Sequence, residues 1–227
     1  MSRPTPTRIF HITPIANLAG ICGLGGIRVK NFLAKAGVSF QSIAHTTIQA
    51  RRATKEVTAG PGGVIHDYVP FYFAPRSPML SSIHNGKVEN CPWKQDDIIH
   101  IESTVEGVLE AGRQFVIYPI SAAQEYSTDC FDTLNGLDHV NWPLFFEEPL
   151  IAGYCKYFHS KAEPERYMLR SETRRAEFLV HEFFPLSAVT RIGVINDSKR
   201  DEVQSMLEQI GVKLQVEVQR NWYFLGQ

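Results

Sequence analysis

The stretch Gly60-Pro61-Gly62-Gly63, running on through Val64 to Leu80, constrains this chain more than any other. Glycines around a proline allow a tight turn, because positive φ carries no steric penalty there. The turn leads into Tyr68-Val69-Pro70-Phe71-Tyr72-Phe73, aromatic and β-branched enough to form a strand. Pro70 cannot donate to a ladder, which predicts a sheet edge or a bulge. Arg76 follows, and Ser77-Pro78 has the form of a helix N-cap and first helical residue. Two readings stay open for this stretch. It is a core strand between turns, or a ligand site using close backbone approach, stacking and an anion contact.

The remaining pattern mixes strands with short helices. Residues 8–13 read as a first strand, with Thr13-Pro14 as cap and start of a helix through Ile15, Leu18, Ala19 and Cys22 that Gly23 and Gly25-Gly26 stop. A polar helix is predicted from Ser42 to Arg51-Arg52, its basic end suiting the helix dipole. Strands follow at 98–103 and 115–118, with a helix at 104–109 between them. Periodicity fails over 121–137, a length that is uncommon unless functional or mobile. A short helix is expected within 138–146, 154–158 is ambiguous, and 164–175 is loosely helical. Next comes a strongly apolar strand, 176–185, opened by Glu177. Strand 191–195, a helix 197–210 capped by Asp197 and closed by Gly211, and strands 213–218 and 221–224 end the chain. Such an order predicts an α+β fold, one domain across all 227 residues, with a central mixed or antiparallel sheet flanked by helices.

Composition narrows the function classes. A net charge of -1 gives no bulk attraction to nucleic acid, so any such binding needs local basic patches. Residues 1–6 lack an apolar signal core, and no run approaches the roughly 18 apolar residues of a membrane helix. The 4 cysteines are spread widely with no CxxC pair, which predicts a reducing, cytoplasmic home and no zinc site. HExxH, G-x-S-x-G, Walker and GxGxxG patterns are absent, so metal, serine-nucleophile and Rossmann chemistry are not indicated.

Four features stand out as candidates. His11 lies on an apolar strand, either as a satisfied core histidine or as a ligand. Tyr72 alternates with Phe71 and Phe73 and points to the opposite face from them. Arg51-Arg52 either cap carbonyls or meet an anion. Glu177 sits in register on a strand so apolar that its carboxylate is either paired, catalytic or turned to water at an edge.

His11, Tyr72 and Glu177 in that order resemble the His-Tyr-Glu signature of one large branch of ADP-ribosyltransferases. More closely, the chain is similar to the DarT family of DNA ADP-ribosyltransferase toxins from bacterial toxin–antitoxin systems. The resemblance rests on Phe10-His11-Ile12-Thr13 with Asn17-Leu18, on Gln49-Ala50-Arg51-Arg52, and on Gly62 to Phe73 with Pro75-Arg76-Ser77-Pro78-Met79-Leu80. It continues in Leu137-Asp138-His139-Val140-Asn141-Trp142-Pro143, Ala176-Glu177-Phe178-Leu179-Val180 and Trp222-Tyr223-Phe224.

What the resemblance implies is transfer of ADP-ribose from NAD+, used as co-substrate without a metal, to a base of single-stranded DNA, with thymine the expected target. It implies that His11 and Thr13 hold the nicotinamide side, with Asn17 and Leu18 nearby, and that Tyr72 stacks beside nicotinamide. Glu177 matches the catalytic glutamate and Arg52 the family arginine. The target-recognition loop falls in 121–131, where Tyr126 or Phe131 could stack a base and Ser121 opens the loop. Arg51 and Arg76 are expected to face the DNA backbone. One departure is visible: Phe115-Val116-Ile117-Tyr118-Pro119-Ile120-Ser121 places Ser121 where relatives carry a histidine, losing imidazole stacking and titration. A DarG-like macrodomain antitoxin is the implied partner, with no membrane and a monomeric enzyme. Alternatives are guanine, RNA or protein as acceptor, or a nucleic-acid-binding toxin that does not use NAD+.

Overall fold

Buried backbone groups have to be hydrogen-bonded, and here a seven-stranded sheet supplies most of that pairing. The computed structural model describes residues 3–157 and 162–225. In chain order the elements begin with β1 (Arg8–Pro14), α1 (Leu18–Gly23), β2 (Gly26–Arg28), α2 (Lys30–Lys35), α3 (Thr46–Thr54) and β3 (Tyr68–Tyr72). Next come α4 (Pro78–His84), β4 (Ile98–Thr104), α5 (Val105–Glu110), β5 (Phe115–Tyr118), α6 (Trp142–Phe145), β6 (Leu150–Ile151) and β7 (Tyr154–Cys155). The last are α7 (Pro164–Thr173), β8 (Glu177–His181), β9 (Phe183–Pro185), β10 (Arg191–Val194), α8 (Asp197–Gln209) and β11 (Val216–Val218). Strand order in the main sheet is β11-β10-β4-β1-β3-β8-β5. Only the β10–β11 pair is parallel, so the sheet is mixed and the fold is α+β.

The aromatic strand β3 is interior, not an edge. Pro70 is tolerated there because the sheet opens beside it. β1 runs in register with β4 from Arg8↔Thr104 to Pro14↔Ile98, yet meets β3 only at Phe10↔Tyr72. The Pro70 carbonyl faces this opening, where it accepts from His11 Nδ1 at 2.9 Å. N–H and C=O of one strand residue point the same way, so the missing N–H removes no ladder bond.

Two hydrophobic clusters clasp β3, β8 and β5. Phe71, Phe178, Val180 and Ile117 belong to the main core, which α4, α5 and α8 cover with Leu80, Val108 and Val203. Tyr68, Leu179, Val116 and Tyr118 belong to a second cluster with Val57, Ile65 and Ala122. The glycine turn behaves as its sequence requires: Gly60, Gly62 and Gly63 have φ of 59, 74 and 79°. A Cβ on Gly63 would lie 2.7 Å from Asp67 Oδ2, which itself accepts from the Val64 N–H.

Several boundaries differ from the sequence reading. Thr13 belongs to β1 and caps nothing by its side chain. β2 and α2 were not anticipated. The long apolar strand 176–185 is broken at Glu182, whose φ is 58°, and resumes as β9 paired with β2. Tyr154 and Cys155 form β7, while Phe158 of the ambiguous 154–158 segment lies outside the described residues. Residues 221–224 are not a strand. Trp222 lies against Gly193, where a Cβ would come within 2.2 Å of its ring. The Tyr223 hydroxyl is shared between the carbonyls of Ile98 and Gly193 at 2.8 and 3.1 Å. These aromatics seal the core instead of extending the sheet. Ser77 does cap α4, accepting from the Leu80 N–H at 3.2 Å.

The cap of α8 is Asn196 and not Asp197, since Asn196 Oδ1 accepts from the Lys199 N–H at 2.9 Å. Asn196→Ala should therefore lower stability by about 1 kcal/mol, and Asp197→Ala by clearly less. Urea denaturation of both variants checks the order.

Candidate active site

Glu177 is the first residue of β8 and only 2% exposed. Register places it between Tyr72 on β3 and Tyr118 on β5, so Glu177 and Tyr72 leave the sheet on the same face. Burial of this carboxylate is made tolerable by donors. Arg52 Nη1, from the last turn of α3, reaches Glu177 Oε2 at 2.8 Å. Oε1 accepts from the Ala122 N–H at 3.1 Å and from the Ser121 hydroxyl at 3.4 Å.

In front of these groups lies a cavity of about 500 Å³, within the range of ordinary ligand sites. Among the described residues that line it, Glu177 is the sole carboxylate, whereas Arg28, Lys30, Arg52 and Arg175 supply four cations. A site so charged favours a polyanionic ligand that also presents a centre of developing positive charge to one carboxylate.

His11 enters from β1. A carbonyl can only accept, so the His11 Nδ1–H donates to Pro70 O and Nε2 is left as an acceptor. Burial lowers the histidine's proton affinity, opposed by that backbone bond. Thr13 Oγ1 accepts from Asn17 Nδ2 at 2.9 Å. The Asn17 amide also grips the backbone of Gln41, donating to its carbonyl at 2.9 Å and accepting from its N–H at 2.8 Å. Val38 to His45 line the cavity, so this amide ties down the segment that forms one cavity wall. The Tyr72 hydroxyl is kept protonated by burial and then by the nearby charge of Glu177.

Sequence reading missed a polar cluster that lines the cavity beside Arg52. Lys30 Nζ donates to Gln49 Oε1 at 2.5 Å, and the same oxygen accepts from His66 Nε2 at 3.0 Å. Burial, with Lys30 and Arg52 close by, pushes His66 down to about 4. Gln49 and His66 lie inside motifs singled out in the sequence, but no spacing rule links a helix residue to a turn residue. Lys30 and Arg28 sit on elements that were not anticipated.

Three expected site residues need correction. Leu18 is fully buried in the core and does not line the cavity. Arg76 is 1% exposed and donates to the Cys155 carbonyl at 3.1 Å, so its guanidinium cannot meet a DNA phosphate. Phe131 is half-buried, bridged to Ile117 through its backbone and stacked on His139 at 4.3 Å, so its ring is already engaged. Ser121 lines the cavity with its hydroxyl toward Glu177. Arg51 is exposed beside Arg52, and Tyr126 is 62% exposed with its hydroxyl on Glu172.

No helix among the described residues is long and apolar enough to cross a membrane, and no group of three or more His, Cys, Asp or Glu among them could hold a metal ion. The arrangement that remains has His11, Tyr72 and Glu177 on three strands around one cation-lined cavity, the constellation of the His-Tyr-Glu class of ADP-ribosyltransferases. Comparison with known proteins narrows that class. A family model described as "ssDNA thymidine ADP-ribosyltransferase, DarT" matches residues 10–224. A DNA ADP-ribosyl transferase of Thermus aquaticus is 36% identical over 226 residues, covering 99% of this chain and 92% of the relative. The structure of Thermus sp. 2.9 DarT in complex with ADP-ribosylated ssDNA superposes with a TM-score of 0.84 at 34% identity, covering 99% of each chain. The same relative in complex with NAD+ gives 0.80 at 32% identity, covering 98% of this chain and 100% of that one. The chain belongs to the DarT family. It is an NAD+-dependent ADP-ribosyltransferase acting on single-stranded DNA.

Two outcomes follow from this geometry. His66 binds its proton more weakly in the folded chain, at about 4 against 6.5, so acid favours the unfolded state. Stability present above pH 6.5 is lost as pH falls toward 4. Thermal midpoints should drop between about pH 7 and about pH 5, and drop less in His66→Gln. Asn17→Ala should free the 38–45 segment and raise KM for NAD+ by roughly tenfold, read from initial rates at saturating DNA.

Proposed function

We propose that Glu177 drives the transfer by stabilising the ribosyl cation and accepting the proton of the attacking base. The observation that carries this reading is that Glu177 is the one carboxylate facing the cavity among the described residues. A carboxylate offers about four lone-pair positions. Arg52, Ser121 and Ala122 use three, leaving room for the 2-hydroxyl of the nicotinamide ribose. The pyrophosphate lies toward Lys30, Arg28 and Arg175, and His11, Thr13 and Tyr72 hold the nicotinamide end.

As the ribose–nicotinamide bond breaks, its electron pair goes to the nicotinamide nitrogen and positive charge builds on the sugar, as in glycoside hydrolysis. The fixed carboxylate opposes that charge without reorganisation. Thymine N3 then forms the new bond to the ribose C1 and gives up its proton to Glu177 as the leaving nicotinamide departs. Arg52 is unfit as the base because its pKa exceeds about 12. It orients Glu177 and stabilises the developing thymine anion. Arg51 anchors the phosphate backbone, and the exposed ring of Tyr126 stacks an unpaired base.

The chain acts in this reading as one domain, a monomeric cytoplasmic toxin opposed by a DarG-like macrodomain that removes ADP-ribose from DNA. Purified protein with NAD+ and mixed-sequence single-stranded DNA should give an adduct heavier by one ADP-ribose, and fragmentation should place it on thymine. Glu177→Gln should fold normally and lose at least about 10²-fold in rate, with Arg52→Lys intermediate. Unmodified DNA with NAD+ intact would overturn the reading, and an adduct on guanine would overturn its base assignment alone.

A further inference from the structure

The carbonyls of Gln124 and Ser127 belong to no helix or strand, yet one side chain engages both. Lys55 Nζ lies 2.5 Å from Gln124 O and 2.7 Å from Ser127 O. These carbonyls bracket a tight turn, in which the Ser127 N–H donates back to Gln124 O at 3.1 Å. Glu125 and Tyr126 stand at its centre. An ammonium carries three donors on a flexible stem, and two of them here close the two ends of a single turn.

The stem itself is fixed. Lys55 follows directly on α3, its N–H donates to Arg51 O at 2.9 Å, and its carbonyl accepts from the Ile65 N–H at 3.1 Å. Burial lowers the affinity of this lysine for its proton, opposed by the neighbouring Cys130 and then by the charge of Glu177. A lysine so placed gives up hydration that a surface lysine would keep. Because it grips main chain and not side chains, it sets the path of the loop while leaving loop side chains to vary. Gln124 and Ser121 line the cavity, and Tyr126, 62% exposed, projects from the same turn.

We propose that Lys55 is a positioning residue that preorganises the 121–131 loop for the acceptor strand, presenting Tyr126 beside the cavity in which Glu177 acts. The inference rests on the DNA-transfer reading above and adds a residue to it. Without Lys55 the turn would have to be ordered by the DNA itself, and that ordering is subtracted from binding. The loss should fall more on the acceptor than on the donor, since Lys55 itself does not line the cavity and, of the loop it holds, Ser121 and Gln124 alone do.

The test compares the parent with Lys55→Met, which keeps the stem and removes the donors, and Lys55→Arg, which keeps the charge and has donors enough for both carbonyls. In Lys55→Met, KM for single-stranded DNA should rise about tenfold while NAD+ affinity by calorimetry stays within about twofold. Amide exchange at Ser127 and Thr128 should quicken while exchange in β8 does not change, which separates a loosened loop from a failed fold. Lys55→Arg should restore most of the affinity for DNA. An unchanged KM for DNA in Lys55→Met, or parallel losses of NAD+ and DNA binding, would overturn the role. A parent that cleaves NAD+ but leaves DNA unmodified would overturn the acceptor reading together with this one. A modifying parent with an unaffected Met variant overturns this one alone.

Discussion

A carboxylate taken out of water needs donors around it, and Glu177 collects them from two separate segments. Arg52 comes from the end of α3, Ser121 and Ala122 from the loop after β5. Holding one side chain thus fixes a helix and a loop relative to β8. Glu102 shows what the same physics does away from a cavity. It is equally buried, at 2%, and each of its oxygens is taken by a guanidinium, Arg8 on one and Arg191 on the other. Glu102 is closed off as a structural tie. Glu177 has one guanidinium, Arg52, and its open side faces the cavity.

The opening of the sheet beside β3 is what gives that side an exit. Continuous pairing between β1 and β3 would bury the Pro70 carbonyl in a ladder and leave His11 without its partner. Instead the strands meet at Phe10↔Tyr72 and diverge. The His11 imidazole fills the gap, one nitrogen satisfied by Pro70 and the other free to accept. A proline that looked like a marker of the rim therefore marks the split that makes the site.

Much of this was legible beforehand because strand registers and caps follow local rules. β5 falls where periodicity placed it, β1 and β8 begin within a residue of expectation, and Ser77 caps as its spacing required. His11, Tyr72, Arg52 and Glu177 were legible as a set only through resemblance, since no local rule links positions that distant. What stayed hidden has physical causes. β2 is three residues long and owes its existence to β9. Arg76 carries a charge that composition assigns to the surface, yet it is buried against the Cys155 carbonyl. The aromatic 221–224 segment has strand propensity, but tertiary contacts with Gly193 and Ile98 overrode it. The Ala122 N–H on Glu177 and the two carbonyls that Lys55 grips are backbone groups, which leave no pattern in residue types.

The two bonds from Ser121 and Ala122 to Glu177 have a consequence for how such an enzyme can diverge. In the proposed reaction, the loop that meets the acceptor and the carboxylate that acts on the donor bond are not separate modules. A substitution that re-aims the loop toward a new sequence shifts the hydrogen bonds on Glu177 at the same time. Target choice and turnover are thus inherited together, and each step toward a new target has to pass through a loop that still seats the glutamate.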